Sequence, residues 1–331
     1  MNIIVDAFGG DNAPVEIVKG CIEAKEEFGI DITLVGTNEL NSICKENDLS
    51  IEDFSIEYAE SVISQNEAGT DILKKKKDST MAVGLKLLAD GKGDAFISAG
   101  NSGALCAGAT FIVKRIKGIK RPAFAPLLPK SNGFFMLLDA GANVECKPQY
   151  LLQFAQMGSI YMEKVMGIKN PTIGLANVGT EEHKGTSLQL DAYKLLQDSD
   201  LYFSGNIESR NIVLNGTDVV VCDGFTGNMI LKTYEGVAKA LLSEIKSIFN
   251  KNVKNKMAAS ILLKDLKEFK KKFDYNEFGG APIIGCTKPV FKAHGSSTAK
   301  TFKNALRLTK EYVNQNVVEE IQNTINGVKE E

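Results

Sequence analysis

Chemistry in this chain can sit only in its loops of small and polar residues. Each loop follows a short apolar run. NIIV (2–5) leads into DAFGGDNAP (6–14), DAFIS (94–98) into AGNSG (99–103), and FFMLLD (134–139) into AGANVECKP (140–148). TIGLANV (172–178) leads into GTEEHKGTS (179–187), DVVVCD (218–223) into GFTGN (224–228), and a last loop reads KAHGSST (292–298). Small residues let backbone N–H groups approach an anion, and a helix beginning after the loop adds partial positive charge. Asp6, Gly9 and Gly10 form the first candidate group. Gly100, Asn101, Ser102 and Gly103 form the second, and His294, Gly295 and Ser296 the last. Lys184, with His183 beside it, reads either as a phosphate ligand or oxyanion stabiliser, or as an ordinary surface lysine. Asn228, near Thr226, reads as a polar ligand or as a helix cap. His294 is a phosphate ligand or a turn histidine, and Ser296 and Ser297 are anion contacts or caps of the last helix.

Other chemistries are excluded by what is missing. There is no Gly-x-x-x-x-Gly-Lys-Ser/Thr, no Gly-x-Gly-x-x-Gly after the first strand, and no Gly-x-Ser-x-Gly. Two histidines cannot build a zinc site from several histidines, and none of the six cysteines forms a Cys-x-x-Cys pair. The cysteines read as buried free thiols in a reducing compartment. Covalent catalysis by Ser or Cys is not favoured, and no metal site or cofactor is expected.

The elements that must position these loops alternate between strand and helix. That pattern predicts an α/β fold with doubly wound, mostly parallel sheets, and runs apolar throughout suit strands buried on both faces. Pro14 is predicted at the first helical position with Asn12 or Ala13 as cap, Val15, Val18 and Ile22 as the buried stripe, and Gly29 as the stop. A helix is predicted from about Tyr150 to Met166. A length of 331 residues suggests two domains, with the boundary near Pro148. A net charge of -2 gives no whole-protein case for nucleic acid. Asp6 stands where a signal peptide would be apolar, and no window reaches the ~18 apolar residues of a spanning helix. The expected location is the cytosol or a membrane surface.

Charge is uneven along the chain. Residues 251–272 hold eight lysines, Lys267 and Lys271 among them, interleaved with Ile261, Leu262, Leu266 and Phe269. A basic amphipathic helix here suits an anionic membrane surface or an acidic carrier protein, or equally a core or dimer helix with a solvated lysine face. Lys74 to Lys77 form a shorter run, open to the same two kinds of reading.

Taken in order, DAFGGDNAP, ISAGNSGAL, RIKGIKRPAFAPLLP, LLDAGANVECKP, NVGTEEHKG, VVVCDGFTGNMILKT, EFGGAPIIG and KAHGSS resemble the bacterial phosphate acyltransferases of phospholipid synthesis, the PlsX family. The resemblance spans nearly the whole chain, with Phe8 where the family usually has Met. It implies an acyltransferase that moves a long-chain acyl group from acyl carrier protein to inorganic phosphate, with no cofactor. It also implies a two-domain fold like that of phosphotransacetylase and the isocitrate/isopropylmalate dehydrogenases. One domain would span 1–148 and 290–331, the other 149–289, including the basic helical segment 251–273. Lys184 and Asn228 would be catalytic, with the 98–104 loop and His294 to Ser296 lining the phosphate site. The protein would be a homodimer, peripheral to the membrane, handing acyl phosphate to a membrane-bound glycerol-3-phosphate acyltransferase. Phosphotransacetylase action on short-chain coenzyme A thioesters, or a non-catalytic membrane scaffold, are the alternatives.

Overall fold

The computed structural model describes residues 1–272 and 278–327, without the side chains of Asn215, Lys267 and 270–272. The expected contacts of Lys267 and Lys271 therefore lie outside what is described. The strands are β1 (Asn2–Asp6), β2 (Asp31–Gly36), β3 (Ser55–Tyr58), β4 (Ala95–Ser98), β5 (Ala123–Phe124), β6 (Leu127–Pro129), β7 (Phe134–Leu138), β8 (Ile173–Asn177), β9 (Phe203–Glu208), β10 (Val219–Val221), β11 (Gly280–Ile284) and β12 (Val290–Ala293). The helices are α1 (Val15–Phe28), α2 (Leu40–Glu46), α3 (Thr80–Ala89), α4 (Ser102–Gly108, prolonged by a π turn over Ala109–Val113), α5 (Pro148–Lys164), α6 (Ser187–Gln197), α7 (Ser209–Asn215), α8 (Gly224–Asn250), α9 (Val253–Ile261), α10 (Leu263–Lys272), α11 (Ala299–Asn314) and α12 (Val317–Gly327).

Two sheets result. The first runs β3-β2-β1-β4-β12-β11-β5 and the second β6-β7-β10-β8-β9. Pairing is parallel except where β11 meets β12 and β5, and where β6 meets β7. In the first sheet the chain order reverses between β1 and β4. The crevice outside the carboxyl ends of such strands is where ligands bind in open α/β sheets, so the loops 6–14 and 98–103 face it.

The chain changes sheet between Phe124 and Leu127 and returns by Gly280. Both changes come ahead of the boundaries expected at 148 and 289. The reason is local: β6 and β7 pair as a hairpin, so both go to the second sheet, while β11 pairs antiparallel with β12 and β5. Residues 299–327 then reach across both layers. Tyr312 of α11 packs edge-on against Phe291 of β12 at 5.3 Å and touches Tyr161 of α5 at 5.8 Å. All three rings are buried, and one apolar core runs from Val5 and Ile97 through Leu138 and Val221.

Helix starts depart from expectation in two places. α1 begins at Val15 with no side-chain cap, and the Asn12 amide nitrogen donates to the carbonyls of Ser296 and Ser297. Thr298, not Ser296 or Ser297, caps α11; the Ser297 hydroxyl donates back to His294 O at 2.6 Å. The basic segment is two helices rather than one, since α9 ends at Ile261 and α10 starts at Leu263.

α8 enters its layer at Gly227, where a Cβ would collide with the Asp139 carbonyl oxygen and sit 3.0 Å from Cys222 Sγ. Neither neighbour is the end of a flexible side chain. Gly227→Ala should therefore cost at least ~2 kcal/mol of stability through overpacking, read as a lower urea midpoint; an unchanged midpoint would show that α8 can shift freely.

Candidate active site

The cleft between the sheets is built outward from three buried carboxylates at strand ends. At the end of β1, Asp6 accepts from Ser98 Oγ at 2.7 Å and from Phe8 N at 3.3 Å. Ser98 Oγ in turn accepts from Gly100 N at 2.9 Å, which ties the 6–12 loop to the 98–103 loop. This approach requires Gly9, whose Cβ would lie 2.6 Å from Ser98 Oγ and 2.8 Å from Gly100 N. At the end of β7, Asp139 accepts from the backbone N–H groups of Phe124, Gly141, Ala142 and Asn143 and from the Asn143 amide. Burial pushes the carboxyls of Asp6 and Asp139 up, and their hydrogen bonds pull them back. At the end of β10, Asp223 caps α8 by accepting from Thr226 N and Thr226 Oγ1.

The walls of the cleft come from both sheets. A cavity of ≈ 310 Å³ is lined by the polar and charged residues Asp11, Gln65, Ser102, Lys232, Glu235, Lys292, His294 and Ser296 and by the apolar residues Phe124, Leu127, Leu128 and Leu231. A second cavity of ≈ 420 Å³, lined by Thr110, Phe111, Arg121, Asn143 and Asn228 among others, shares Ser102, Phe124, Leu231 and Lys232 with the first. The two adjoin at these shared residues, and each volume falls in the range of about 300–1,000 Å³ typical of small-molecule sites.

The predicted residues separate into three groups. Ser102, Gly103, Asn228, His294, Gly295 and Ser296 line the cleft. Asp6, Gly9, Gly10, Gly100, Asn101 and Thr226 stand behind it as braces. Asn101 illustrates the bracing: its amide donates to the carbonyls of Ser64, Gln65 and Glu67 while its oxygen caps α4. His183 and Lys184 sit exposed on the loop after β8 and line neither cavity.

The lysine at the cleft floor is Lys292, which the sequence reading passed over. It is 8% exposed, at the carboxyl end of β12, and its ammonium donates to Ala99 O at 3.0 Å and Ala293 O at 2.5 Å. The detectable signal was a lysine among the buried residues Val290, Phe291 and Ala293, one residue before the loop. Burial pushes its pKa from 10.5 down to about 8; Lys232 pushes the same way, while Cys106, Asp11 and Asp6 oppose. His294 is held low by burial. The Ser296 N–H donates to its Nδ1 at 3.2 Å, which places the ring proton of the neutral imidazole on Nε2. Cys106, the thiol in the second cavity, is pushed up to about 12, chiefly by burial, so it offers no thiolate nucleophile.

The fold is shared with solved acyl-transferring enzymes. The structure superposes on a phosphotransacetylase from Streptococcus pyogenes with a TM-score of 0.65 at 16% identity, covering 96% of this chain and 94% of that one. A branched-chain phosphotransacylase from Enterococcus faecalis gives 0.59 at 14% identity, covering 95% and 99%. A Salmonella typhimurium protein assigned as a 4-hydroxythreonine-4-phosphate dehydrogenase gives 0.51 at 11% identity, covering 94% and 98%. The architecture is thus the two-sheet α/β fold of the phosphotransacetylases. In sequence, residues 1–320 match the profile of the fatty acid synthesis protein family. The phosphate acyltransferase of Clostridium botulinum (strain Loch Maree) is 49% identical over 333 residues, covering 100% of this chain and 99% of the relative. That of Thermoanaerobacterium thermosaccharolyticum is 48% identical over 326 residues, covering 98% and 97%. The chain belongs to the fatty acid synthesis protein family, a family of phosphate acyltransferases.

If Lys292 holds the anion, it does so as a cation below about pH 8 and loses that charge above. Beyond the change that the second ionisation of phosphate itself causes, the KM for phosphate should then rise above pH 8 by up to ~10-fold per unit, since charge is lost at that rate above the pKa. Lys292→Arg, which stays charged, should remove the rise. A KM that stays flat to pH 9.5 in the unsubstituted protein would take Lys292 out of the site.

Proposed function

We propose that the chain transfers a long-chain acyl group from an acyl-carrier-protein thioester to inorganic phosphate, giving acyl phosphate and free carrier protein. The observation that carries this reading is the mixed lining of the cleft. Cationic and hydrogen-bonding groups, Lys232, Lys292, His294 and Ser296, share it with apolar Phe124, Leu127, Leu128 and Leu231, which suits an anion beside an acyl chain. The described lining holds no activated Ser or Cys, and none is required, because phosphate is itself the nucleophile. Its oxygen attacks the thioester carbonyl carbon and a C–O bond forms. The tetrahedral oxyanion then collapses, the C–S bond breaks, and the departing thiolate takes up a proton. The protein has to hold the two reactants together and stabilise the oxyanion. Lys292, Ser296 and the Nε2–H of His294 suit the phosphate. Asn228, the fifth residue of α8, together with Lys232 suits the carbonyl oxygen, since both line the second cavity. Lys184, exposed on the loop after β8, is assigned the outer approach rather than the reacting centre.

Trapping with hydroxylamine tests the reading. Phosphate and long-chain acyl-carrier protein should yield hydroxamate with the unsubstituted protein. Product from a short-chain coenzyme A thioester alone would favour a phosphotransacetylase, and none from either donor would favour a scaffold. Lys292→Met should cut phosphate-dependent turnover at subsaturating phosphate by ~10- to 100-fold, the worth of hydrogen bonds to a charged group. Lys184→Ala should lose less; the reverse order would return the central role to Lys184.

The same reading extends to assembly and location. No helix among the described residues is long and apolar enough to cross a membrane. Val253, Met257, Ile261, Leu262, Leu263 and Phe269 are exposed on and between α9 and α10, amid lysines. That pattern suits peripheral attachment to an anionic membrane surface, where a membrane-bound glycerol-3-phosphate acyltransferase would consume the product. Phe225, Met229, Val237 and Leu241 form an exposed stripe at helical spacing along α8 beside an apolar hollow of ≈ 520 Å³, which suits a homodimer seam. Ile261→Glu with Leu262→Glu should release the protein from anionic vesicles without changing its mass by light scattering. Met229→Glu with Leu241→Glu should halve that mass. Retained vesicle binding in the first, or retained mass in the second, would reject the corresponding surface.

A further inference from the structure

The segment KRIKGIKR, residues 114–121, carries cations that the catalytic reading leaves unused. Ile116 and Ile119 are buried, while Lys114, Arg115, Lys117, Lys120 and Arg121 point outward and are exposed. The backbone beneath them is fixed. Ile116 N donates to Gly285 O at 3.0 Å, Lys120 N to Gln153 Oε1 at 2.8 Å, and Gln153 Nε2 to Gly118 O at 3.0 Å. Among the described residues, none of these five cations forms an ion pair. The Lys74–Lys77 run differs, because Lys75 is paired with Asp71 at 3.6 Å and Lys76 with Glu67 at 3.4 Å. Five unpaired cations on a pinned loop form a ready-made face for an acidic partner.

The loop also frames an entrance. It leaves the wall of the second cavity at Thr110 and Phe111 and rejoins it at Arg121 and Pro122. Arg121 lies over the Tyr150 ring, 5.6 Å from its centroid, so stacking orients the guanidinium while its donors stay available. A planar, unpaired guanidinium in that position matches the bidentate geometry of a phosphate group. The same cavity is lined by Thr110, Asn143 and Asn228, groups able to hydrogen-bond amides, and it shares Ser102 and Lys232 with the cavity that holds Lys292.

We propose that residues 114–121 are the docking surface for an acidic acyl carrier protein, with Arg121 pairing to the phosphodiester at the root of its pantetheine arm. The arm follows the second cavity and delivers the thioester to the junction at Ser102 and Lys232. This rests on the carrier-protein reading given under Proposed function.

Two donors separate the docking surface from the chemistry: a long-chain acyl-carrier protein, and the same acyl group on pantetheine, which lacks both carrier and phosphodiester. Arg121→Ala should raise the KM for acyl-carrier protein ~10-fold or more, the scale of one hydrogen-bonded charge. Its kcat should stay within about twofold, and the loss should be confined to that donor. Lys117→Glu with Lys120→Glu should raise the same KM and flatten its dependence on salt, again on that donor alone. An unchanged KM for acyl-carrier protein in Arg121→Ala, or equal losses on both donors, would overturn the docking surface while leaving the acyltransfer reading intact. Turnover of acyl-pantetheine but not of acyl-carrier protein by the unsubstituted protein would overturn it too. If the unsubstituted protein makes acyl phosphate from neither donor, the function itself is refuted and the docking surface falls with it.

Discussion

Asp139 is the hinge pin of this architecture. Its carboxylate is fully buried at the point where the chain has just crossed between sheets. It accepts one N–H from Phe124, in the last strand of the first sheet, and the rest from the loop that opens the second. An ionised carboxylate in a dry interior is costly unless its lone pairs are filled, and here they are filled by donors from both sides of the cleft. The same residue supplies the backbone oxygen over which Gly227 must pass, so the entry of α8, and with it Asn228, is placed by Asp139 as well. Asp6 plays the matching role in the first sheet through Ser98 and Gly100.

This bracing explains why many of the conspicuous small-residue motifs do not touch the ligand space. Asn101 spends its amide on three carbonyls of the 64–67 loop, which brings Gln65 to the cleft wall. Asn12 spends its amide on the 296–297 backbone, and Asp11 N donates to Gly295 O at 2.8 Å. The loops from β1, β4 and β12 are thereby locked to one another before any substrate arrives. A preorganised frame of this kind serves a reaction whose catalysis consists of positioning and electrostatics.

Much of the fold was legible in the sequence. Uniformly apolar runs ending in Gly-rich loops mark β1, β4, β7, β8 and β10 because parallel strands are buried on both faces. The sheet change was not legible, because β5 and β6 are too short to show a period, and β5 takes its partner, β11, from far along the chain while β6 pairs with the neighbouring β7. At the site, glycines and loop polars could be read from local pattern, and His294 and Ser296 reached the cleft. Lys184 and Lys292 could not be ranked that way. Both are lysines near strand ends, and what separates them is burial, a tertiary property. Lys292 is enclosed because β12 is flanked by β4 and β11, a neighbourhood that Lys184 lacks.

The cations of the molecule follow a gradient of desolvation that maps onto the order of events. The outermost, on 114–121, are exposed and form no ion pair among the described residues, so in the proposed docking they would act over distance on an acidic partner at the cost of little binding energy. Lys232 is intermediate, exposed yet tied to Glu235 at 2.7 Å on the cleft wall. Lys292 is nearly dry and satisfied by two carbonyls, and its pKa lies near 8. Charge in a dry site interacts more strongly with an anion than charge in water does. The burial that makes this ammonium hardest to keep ionised is thus what would make it the strongest ligand for phosphate. An anion entering beside it repays part of the desolvation cost and holds the lysine charged. If Lys292 is the phosphate ligand, phosphate binding and Lys292 protonation are linked, each favouring the other.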